Sequence, residues 1–448
     1  MELTKREQEM LYARVLPLLF RFGIPTMMGM IINAVYNLVD TYFVGGFGMV
    51  QTAAVSLVFP LTLLTTGFGG VFGSGAGSKI SRLLGDRVHG RASEYCATAL
   101  ASAVVCGAAL AAVLLLGLRP LLLGMGADAT TLPYAMQYGT IIILGFPFSL
   151  FNITANNLAV SEGATGFSSA TLLLGAALNM VLDPLFVLRF HTGVEGVAYA
   201  TVIASGVSTA VYAAHFLRGR GLLRFSLHGI KPSRALYAEM CKIGVPLLAF
   251  QLLNMAALSV TNVLAVRYGN PSVAAFGITY KLFCIEVNAV FGFLKGYQPL
   301  AGYNYGANRP DRVANFTRMG VLVTTVFCVV CNVLLMAFAP QVIGLFNHDS
   351  AEVLYFGAHV LRVQAVGYMT LGFQFVGASY FLAIGRAREG GILSMCRGLF
   401  FLLLGIVLNA VFGRAGLLAA YPLTELCACA ATAVILYQDK RPTAPQRA

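Results

Sequence analysis

The chain has 448 residues, of which 58% are hydrophobic and 11% charged, with mean hydropathy +0.77. A soluble protein of this length needs far more charge to cover its surface, so water is not its main solvent. The formal net charge of +12 raises nucleic acid as a partner, but the placement of those charges, taken up below, argues against it.

Met1 to Arg14 is polar and mixed in charge. The apolar stretch behind it is too long for a removable signal and lacks a small-residue cleavage pattern, so it is expected to stay as the first span. A crossing of the hydrocarbon takes about 20 mostly apolar residues, and roughly twelve such windows follow one another. In the first half they run approximately 15–44, 51–78, 93–118, 131–160, 166–190 and 194–217. In the second they run 236–266, 273–300, 315–340, 352–384, 391–412 and 416–437.

The first window ends on Asn33, Asn37, Asp40 and Thr41, spaced by three and four and so near one helical face. An acid deep in a span costs several kcal/mol unless it pairs, protonates or faces water, which makes it a functional candidate. The second window carries Gly69-Gly70-x-x-Gly73-x-Gly75-x-Gly77. That run follows an apolar helix instead of a strand, so it is no phosphate-binding loop and points to close helix packing.

The fifth window holds Asn179 and Asp183 one turn apart, with Pro184 next, a proline that frees the carbonyl of Met180. Together with Asp40, and with Thr201 from the sixth window, these residues offer an oxygen-rich anionic set. It suits a hard monovalent cation or a proton shared by two carboxylates. The other reading is that Asn179 and Asp183 cap a kinked helix while Asp40 meets water.

Further on, Gln251 and Asn254 lie in the seventh window, with Glu286 between Lys281 and Lys295 in the eighth, followed by Gln298. Glu286 and Glu425 read either as members of internal ion pairs or as groups that meet cationic substrates. Arg362 in the tenth window stands alone. Cys328-x-x-Cys331 and Cys427-x-Cys429 fall in apolar runs without nearby His or acidic ligands, so packing is their expected role. No catalytic constellation and no metal-ligand spacing of the six His stands out, so an enzyme is not expected.

If the N-terminus is cytoplasmic and the spans alternate, one side collects Lys5, Arg6, Lys79, Arg82, Arg87, Arg91, Arg218, Arg220, Arg224, Lys231, Arg234, Lys242, Arg309, Arg312, Arg318, Arg386, Arg388 and Lys440 among others. The other side has Arg119, Arg189, Arg267 and Arg414. The positive-inside rule then puts both termini in the cytoplasm and the charge at the membrane surface, without nucleic acid.

Arg21-Phe-Gly-Ile-Pro25 recurs as Lys242-Ile-Gly-Val-Pro246, a shift of 221 (246 − 25), and the same shift maps Val39 onto Val260, Gly48 onto Gly269 and Arg91 onto Arg312. With small gaps, Gly163 meets Gly385, and Gly196 with Ala200 meets Gly416 with Ala420. The repeat predicts an all-α polytopic membrane protein of twelve transmembrane helices in two pseudo-symmetric six-helix bundles. Residues 1–217 form the N-terminal lobe, 218–235 a basic cytoplasmic linker and 236–448 the C-terminal lobe. Parallel repeats of even span number are a transporter architecture, with a binding cavity expected near mid-membrane. Under the shift Asp40 meets Thr261, and Gly405 stands near the counterpart of Asp183, so coupling to an ion is expected of the first half.

Five strings carry a family resemblance: Phe22-Gly-Ile-Pro25, Tyr36-Asn-Leu-Val-Asp40-Thr-Tyr-Phe-Val-Gly45, Leu178-Asn-Met-Val-Leu-Asp183-Pro184, Gly296-Tyr-Gln298-Pro-Leu-Ala-Gly-Tyr-Asn304-Tyr-Gly306-Ala307 and Ala383-Ile-Gly-Arg386. Spread over both halves, they resemble the bacterial branch of the multidrug and toxic compound extrusion family. The resemblance implies a V-shaped pair of bundles in the inner membrane and export of organic, often cationic or amphipathic, small molecules. Inward Na+ or H+ would drive it without another cofactor. The resemblance also implies that Asp40, Asn179, Asp183 and Thr201 bind the coupling ion. Asn37, Gln251, Asn254, Glu286 and Gln298 are candidate cavity residues, and a monomer is expected. Where another branch has a carboxylate early in the seventh span, this chain reads Phe250-Gln251-Leu-Leu-Asn254. The alternative function is a flippase for lipid-linked oligosaccharides, which would use Lys281, Lys295 and Arg362 toward phosphate.

Overall fold

Long apolar runs placed in hydrocarbon must satisfy their backbone groups internally, which a helix does within one segment. The computed structural model describes residues 5–45, 49–190, 192–219, 221–346 and 351–439, with the side chains of 5, 6, 34–45, 49, 188 and 270 outside the description. Every regular element among the described residues is helical. The protein is an all-α polytopic membrane protein.

After the short α1 (Lys5–Tyr12), the first half runs through α2 (Val15–Gly45), α3 (Met49–Gly85), α4 (His89–Gly124), α5 (Leu132–Leu144), α6 (Phe146–Ser161), α7 (Thr165–Pro184) and α8 (Gly193–Leu217). The second half runs through α9 (Arg234–Val266), α10 (Asn270–Gly306), α11 (Pro310–Ala337), α12 (Ala339–Gly344), α13 (Ala351–Tyr368), α14 (Leu371–Ala383) and α15 (Ala387–Gln438).

Among the described residues nine helices are long and apolar enough to cross a membrane, and α5 and α6, bent by 47° at a short break, together have the length and composition of a tenth. The bend has a local cause: Gly145 separates the two, and a proline sits in the first turn of α6, where its missing N–H does no harm. α15 is 52 residues long, ~78 Å at 1.5 Å per residue and so enough for two crossings. It turns at Gly413, whose φ of 59° and ψ of −137° are not helical; without a Cβ, glycine takes such a backbone at little cost. That residue lies between the windows 391–412 and 416–437. The window 352–384 is divided between α13 and α14, and with it all twelve windows are present as helix.

Two compact units emerge from the contacts, Ile24–Gly244 and Met1–Gly23 together with Val245–Ala448. Their boundaries are 221 residues apart (244 − 23), each just ahead of the prolines Pro25 and Pro246. Each unit therefore takes in the opening turns of the other half's first helix.

In the first unit α3 is the central helix, packed on α4, α5 and α6. Gly69, Gly73 and Gly77 repeat every four residues and so share one face. Cβ atoms there would come within 2.9 Å of Ile153, 2.8 Å of Asn157 and 2.3 Å of Ser161, all on α6. The glycines let these two helices touch. Beneath them Ala54, Val58, Leu61, Ala103, Leu118, Ile143, Phe146, Leu150 and Val197 form the buried core. The second unit has its own core, built from Leu264, Ala265, Ala275, Phe276, Phe356, Val360, Leu417 and Leu418. Side chains such as Leu116, 89% exposed, and Phe412, 65% exposed, turn outward, as expected of a surface that meets lipid.

Candidate functional site

The polar cluster of the first unit is built by the end of α7 and the start of α8. Asn179 and Asp183, one turn apart on α7, are 2% and 0% exposed. Pro184 closes α7, and the chain continues as a single π-helical turn, Leu185–Arg189. Such turns are rare and concentrate at functional sites. The turn delivers the chain to α8, where Thr201 faces back toward Asn179.

Amide orientation is assigned from the hydrogen-bond network. With the Asn179 amide oriented to satisfy both of its ends, its nitrogen donates to Asp183 Oδ2 at 3.0 Å. Its oxygen accepts from the Thr201 backbone N–H at 3.1 Å and from the Thr201 hydroxyl at 3.3 Å. A buried carboxylate, an amide and a hydroxyl are thus joined in one chain. Asn37 and Asp40 fall on helical backbone of α2, and their side chains lie outside the described residues.

The repeat shows what is particular to this half. Its offset is 222 at Gly163 and Gly385 (385 − 163) and 220 at Gly196 and Gly416 (416 − 196), so the first half carries two extra residues between those points. Pro184 and the π-helical turn lie in that interval. Carried across, Asn179 corresponds to Phe401, Asp183 to Gly405, Thr201 to Tyr421 and Asp40 to Thr261. In the second half the Phe401 and Tyr421 rings are 4.7 Å apart, and Thr261 Oγ1 lies 3.0 Å from Tyr421 Oη. The second half has no carboxylate at these positions.

The MatE family model matches residues 25–185 and 246–411, one match in each half and with starts again 221 apart (246 − 25). The chain belongs to the MatE family.

Curated proteins similar to this MatE chain include the "Multidrug export protein MepA" of Staphylococcus saprophyticus subsp. saprophyticus and that of Staphylococcus aureus. Each is 26% identical over 425 residues, 94% of both chains. One similar solved structure is a crystal structure of MATE in complex with MaL6, with TM-score 0.91 at 24% identity, covering 97% of this chain and 98% of that one. Another is the outward-facing conformation of a multidrug resistance MATE family transporter of the MOP superfamily, with TM-score 0.89 at 24% identity and 97% of each chain covered. At that identity the likeness is one of fold. The MatE chain is a transporter and not an enzyme.

Elsewhere in this MatE chain the candidate residues separate. Glu286 is 5% exposed and accepts a hydrogen bond from Asn332 Nδ2 at 2.7 Å. Among the described residues it pairs with neither Lys281 nor Lys295, and its Oε2 and Asn332 Oδ1 are buried without a partner. It is therefore packed inside the second unit, against α11. Glu425 is the ion-paired acid, bound by Arg397 Nε at 2.5 Å and by Gln374 Nε2 at 3.0 Å. Asn254 donates to the Phe250 carbonyl of its own helix at 2.7 Å, Gln251 is exposed and Gln298 is half-buried. Among the described residues no hydrogen bond joins Gln251, Asn254, Glu286 and Gln298. Arg362 Nε donates to the Met336 carbonyl at 3.2 Å. All nine cysteines are free thiols.

One buried pair went unread in the sequence. Glu162, fully buried, lies 2.6 Å from His215 Nε2 and accepts the Leu223 backbone N–H at 2.9 Å. Phe167 stacks on the His215 ring at 4.2 Å. The group fastens the segment that follows α8 to α6, α7 and α8. Its members are 53 and 61 residues apart, and no spacing rule connects positions so far separated in the chain.

Proposed function

We propose that this MatE chain is a cation-coupled antiporter of the cytoplasmic membrane, exporting organic, often cationic or amphipathic small molecules as inward Na+ or H+ drives the cycle. Both termini lie in the cytoplasm and a single chain is the working unit. The observation that carries the reading is the buried Asp183–Asn179–Thr201 chain beside a π-helical turn, placed on the one half of the repeat that keeps its carboxylates. The names of the MepA relatives support the cargo class.

Asp183 and Asp40 are the groups whose charge an inward cation would neutralise. The Thr261–Tyr421 contact supports placing Asp40 in the same cluster, because those residues are the repeat counterparts of Asp40 and Thr201. The set consists of hard oxygen ligands, which fit Na+, and of carboxyls, which take H+. An ion that drives export must bind one conformation better than the other, and buried carboxylates give that difference its size.

The test is substrate efflux in proteoliposomes under separately imposed Na+ and pH gradients. Asp40→Asn and Asp183→Asn are each expected to abolish gradient-driven export while leaving the protein inserted. Asn179→Ala removes a neutral ligand and should weaken coupling less, and Thr261→Ala should be nearly silent toward it. Wild-type rates from both Asp→Asn variants would remove the first-half site. Movement of a lipid-linked oligosaccharide without any cation requirement would replace export by flipping.

A further inference from the structure

Where α10, α11, α14 and α15 end together at the basic end of the second unit, they enclose a cavity of about 330 Å³ open to the outside. Its walls divide by chemistry. Val313, Ala314, Ile384 and Leu436 are apolar, whereas Tyr305, Tyr380, Arg318 and Asp439 are polar.

Depth follows from the sequence of α11. Arg318 is the last charge before Met319–Ala337, nineteen residues without Asp, Glu, Lys or Arg, and such a run is close to the ~20 needed to cross the hydrocarbon. Arg318 therefore sits at the boundary between hydrocarbon and headgroups. Tyrosines gather at that same boundary, and the cavity has two.

The charges then decide what fits. Among the described residues Arg318 is exposed and has no ion pair and no hydrogen-bond partner. The Asp439 carboxylate, whose side chain is 7% exposed, is paired with Arg386 and accepts the Tyr380 hydroxyl at 3.2 Å. Arg386 also binds Glu389 at 2.6 Å, so one guanidinium serves two carboxylates. Among the described residues the cavity thus offers an unpaired cation on one side and, on another, a carboxylate acceptor held by Arg386 and Tyr380. The residues after Asp439 carry Lys440, Arg441 and Arg447, the same sign as Arg318, and are poor occupants for that reason.

We propose that this cavity is a phospholipid site. The lipid phosphate lies on Arg318, a hydrogen-bond-donating headgroup such as ethanolamine or glycerol reaches Asp439, and the start of an acyl chain follows Val313, Ala314 and Leu436. Arginine forks match phosphate oxygens, and a carboxylate can only accept, so the headgroup must supply a donor. Phosphatidylcholine cannot.

Native mass spectrometry of the full-length protein in detergent, titrated with single lipids, tests the assignment. Wild type should retain phosphatidylethanolamine or phosphatidylglycerol more strongly than phosphatidylcholine. Arg318→Gln should weaken that retention about tenfold, the loss of one charge-assisted contact. Ala314→Trp, which fills the cavity without touching a charge, should weaken it as well. Arg388→Gln, at an exposed arginine outside the cavity, should not. The proposal fails if Arg318→Gln and Ala314→Trp bind as wild type does, or if Arg388→Gln loses as much as Arg318→Gln. It also fails if phosphatidylcholine is held equally. Displacement by inorganic phosphate at equal concentration would show an anion site and not a lipid site. Proteolytic removal of the residues after Asp439 should leave binding unchanged, and a large gain would mean that the tail is the occupant instead.

Discussion

Asp128 stands in the turn before α5, and its Oδ1 accepts the Thr131 backbone N–H at 2.7 Å, the Thr130 hydroxyl at 2.8 Å and the Thr130 N–H at 3.0 Å. These donors, led by the Thr131 N–H, hold the carboxyl down at about 2. A folded-state value below the unfolded one means a stabilisation fully present above the ordinary carboxylate range and lost as pH falls through about 2. Hydrogen exchange at the Thr130 and Thr131 amides should be several-fold faster in Asp128→Ala and unchanged in distant helices; equal rates would contradict the role of these hydrogen bonds in holding the turn. Glu162 acts deeper. Replacing it with Ala leaves the Leu223 N–H and His215 without their acceptor, at about 1–3 kcal/mol for each unsatisfied group. In Glu162→Ala, limited proteolysis should cut the 218–233 segment faster than in wild type while α3 to α5 stay protected, and an unchanged cleavage pattern would contradict the anchoring.

At the scale of elements, glycine placement was legible and helix joining was not. The run from Gly69 to Gly77 announces close packing, and three of its members do meet α6 side chains at distances that a methyl would close. A fourth, Gly75, meets the opening of α9, where a Cβ would stand 2.3 Å from the Met240 carbonyl oxygen. Its repeat partner Gly296 (75 + 221) meets α2 the same way, 2.5 Å from the Phe22 backbone. Backbone cannot turn aside as a side chain can. Gly75→Ala and Gly296→Ala should therefore each lose roughly 1–3 kcal/mol to overpacking. Gly70→Ala, with nothing within 4 Å, should hold or gain slightly from helix propensity. Thermal unfolding in one detergent ranks the three, and equal melting of Gly75→Ala and Gly70→Ala would refute the contact. Hydropathy located the windows because burial in lipid demands apolar residues. It separated 391–412 from 416–437, and the turn at Gly413 falls between them, but it could not show that 131–160 is broken at Gly145, since a straight and a bent span have the same composition. Nor could it show the π-helical turn after Pro184, although the two-residue drop in the repeat offset marks where the halves diverge.

For the whole molecule, the repeat and the charge distribution make a joint claim about sidedness. The segment from Arg218 to Lys242 carries six Lys or Arg residues and joins the two halves. It is fastened along the first unit: Arg224 N–H donates to Ser93 Oγ at 3.3 Å, Lys231 N–H to Thr98 Oγ1 at 3.1 Å, and Lys231 Nζ to Glu94 at 2.5 Å. Moving so many cations across a membrane opposes the positive-inside bias, so the segment should face the cytoplasm. Arg119, beyond the long apolar run of α4, and Arg414, beside the turn at Gly413, should face the other side. The Arg224 side chain is exposed, which makes position 224 suitable for labelling. With all nine native cysteines replaced, Arg224→Cys should react with a membrane-impermeant maleimide in inside-out vesicles and stay unlabelled in intact cells. Arg119→Cys should show the reverse. Labelling of position 224 from outside intact cells would invert the topology and with it the direction of transport, because an inward-driving ion and an outward-moving cargo are defined by the side on which this linker lies.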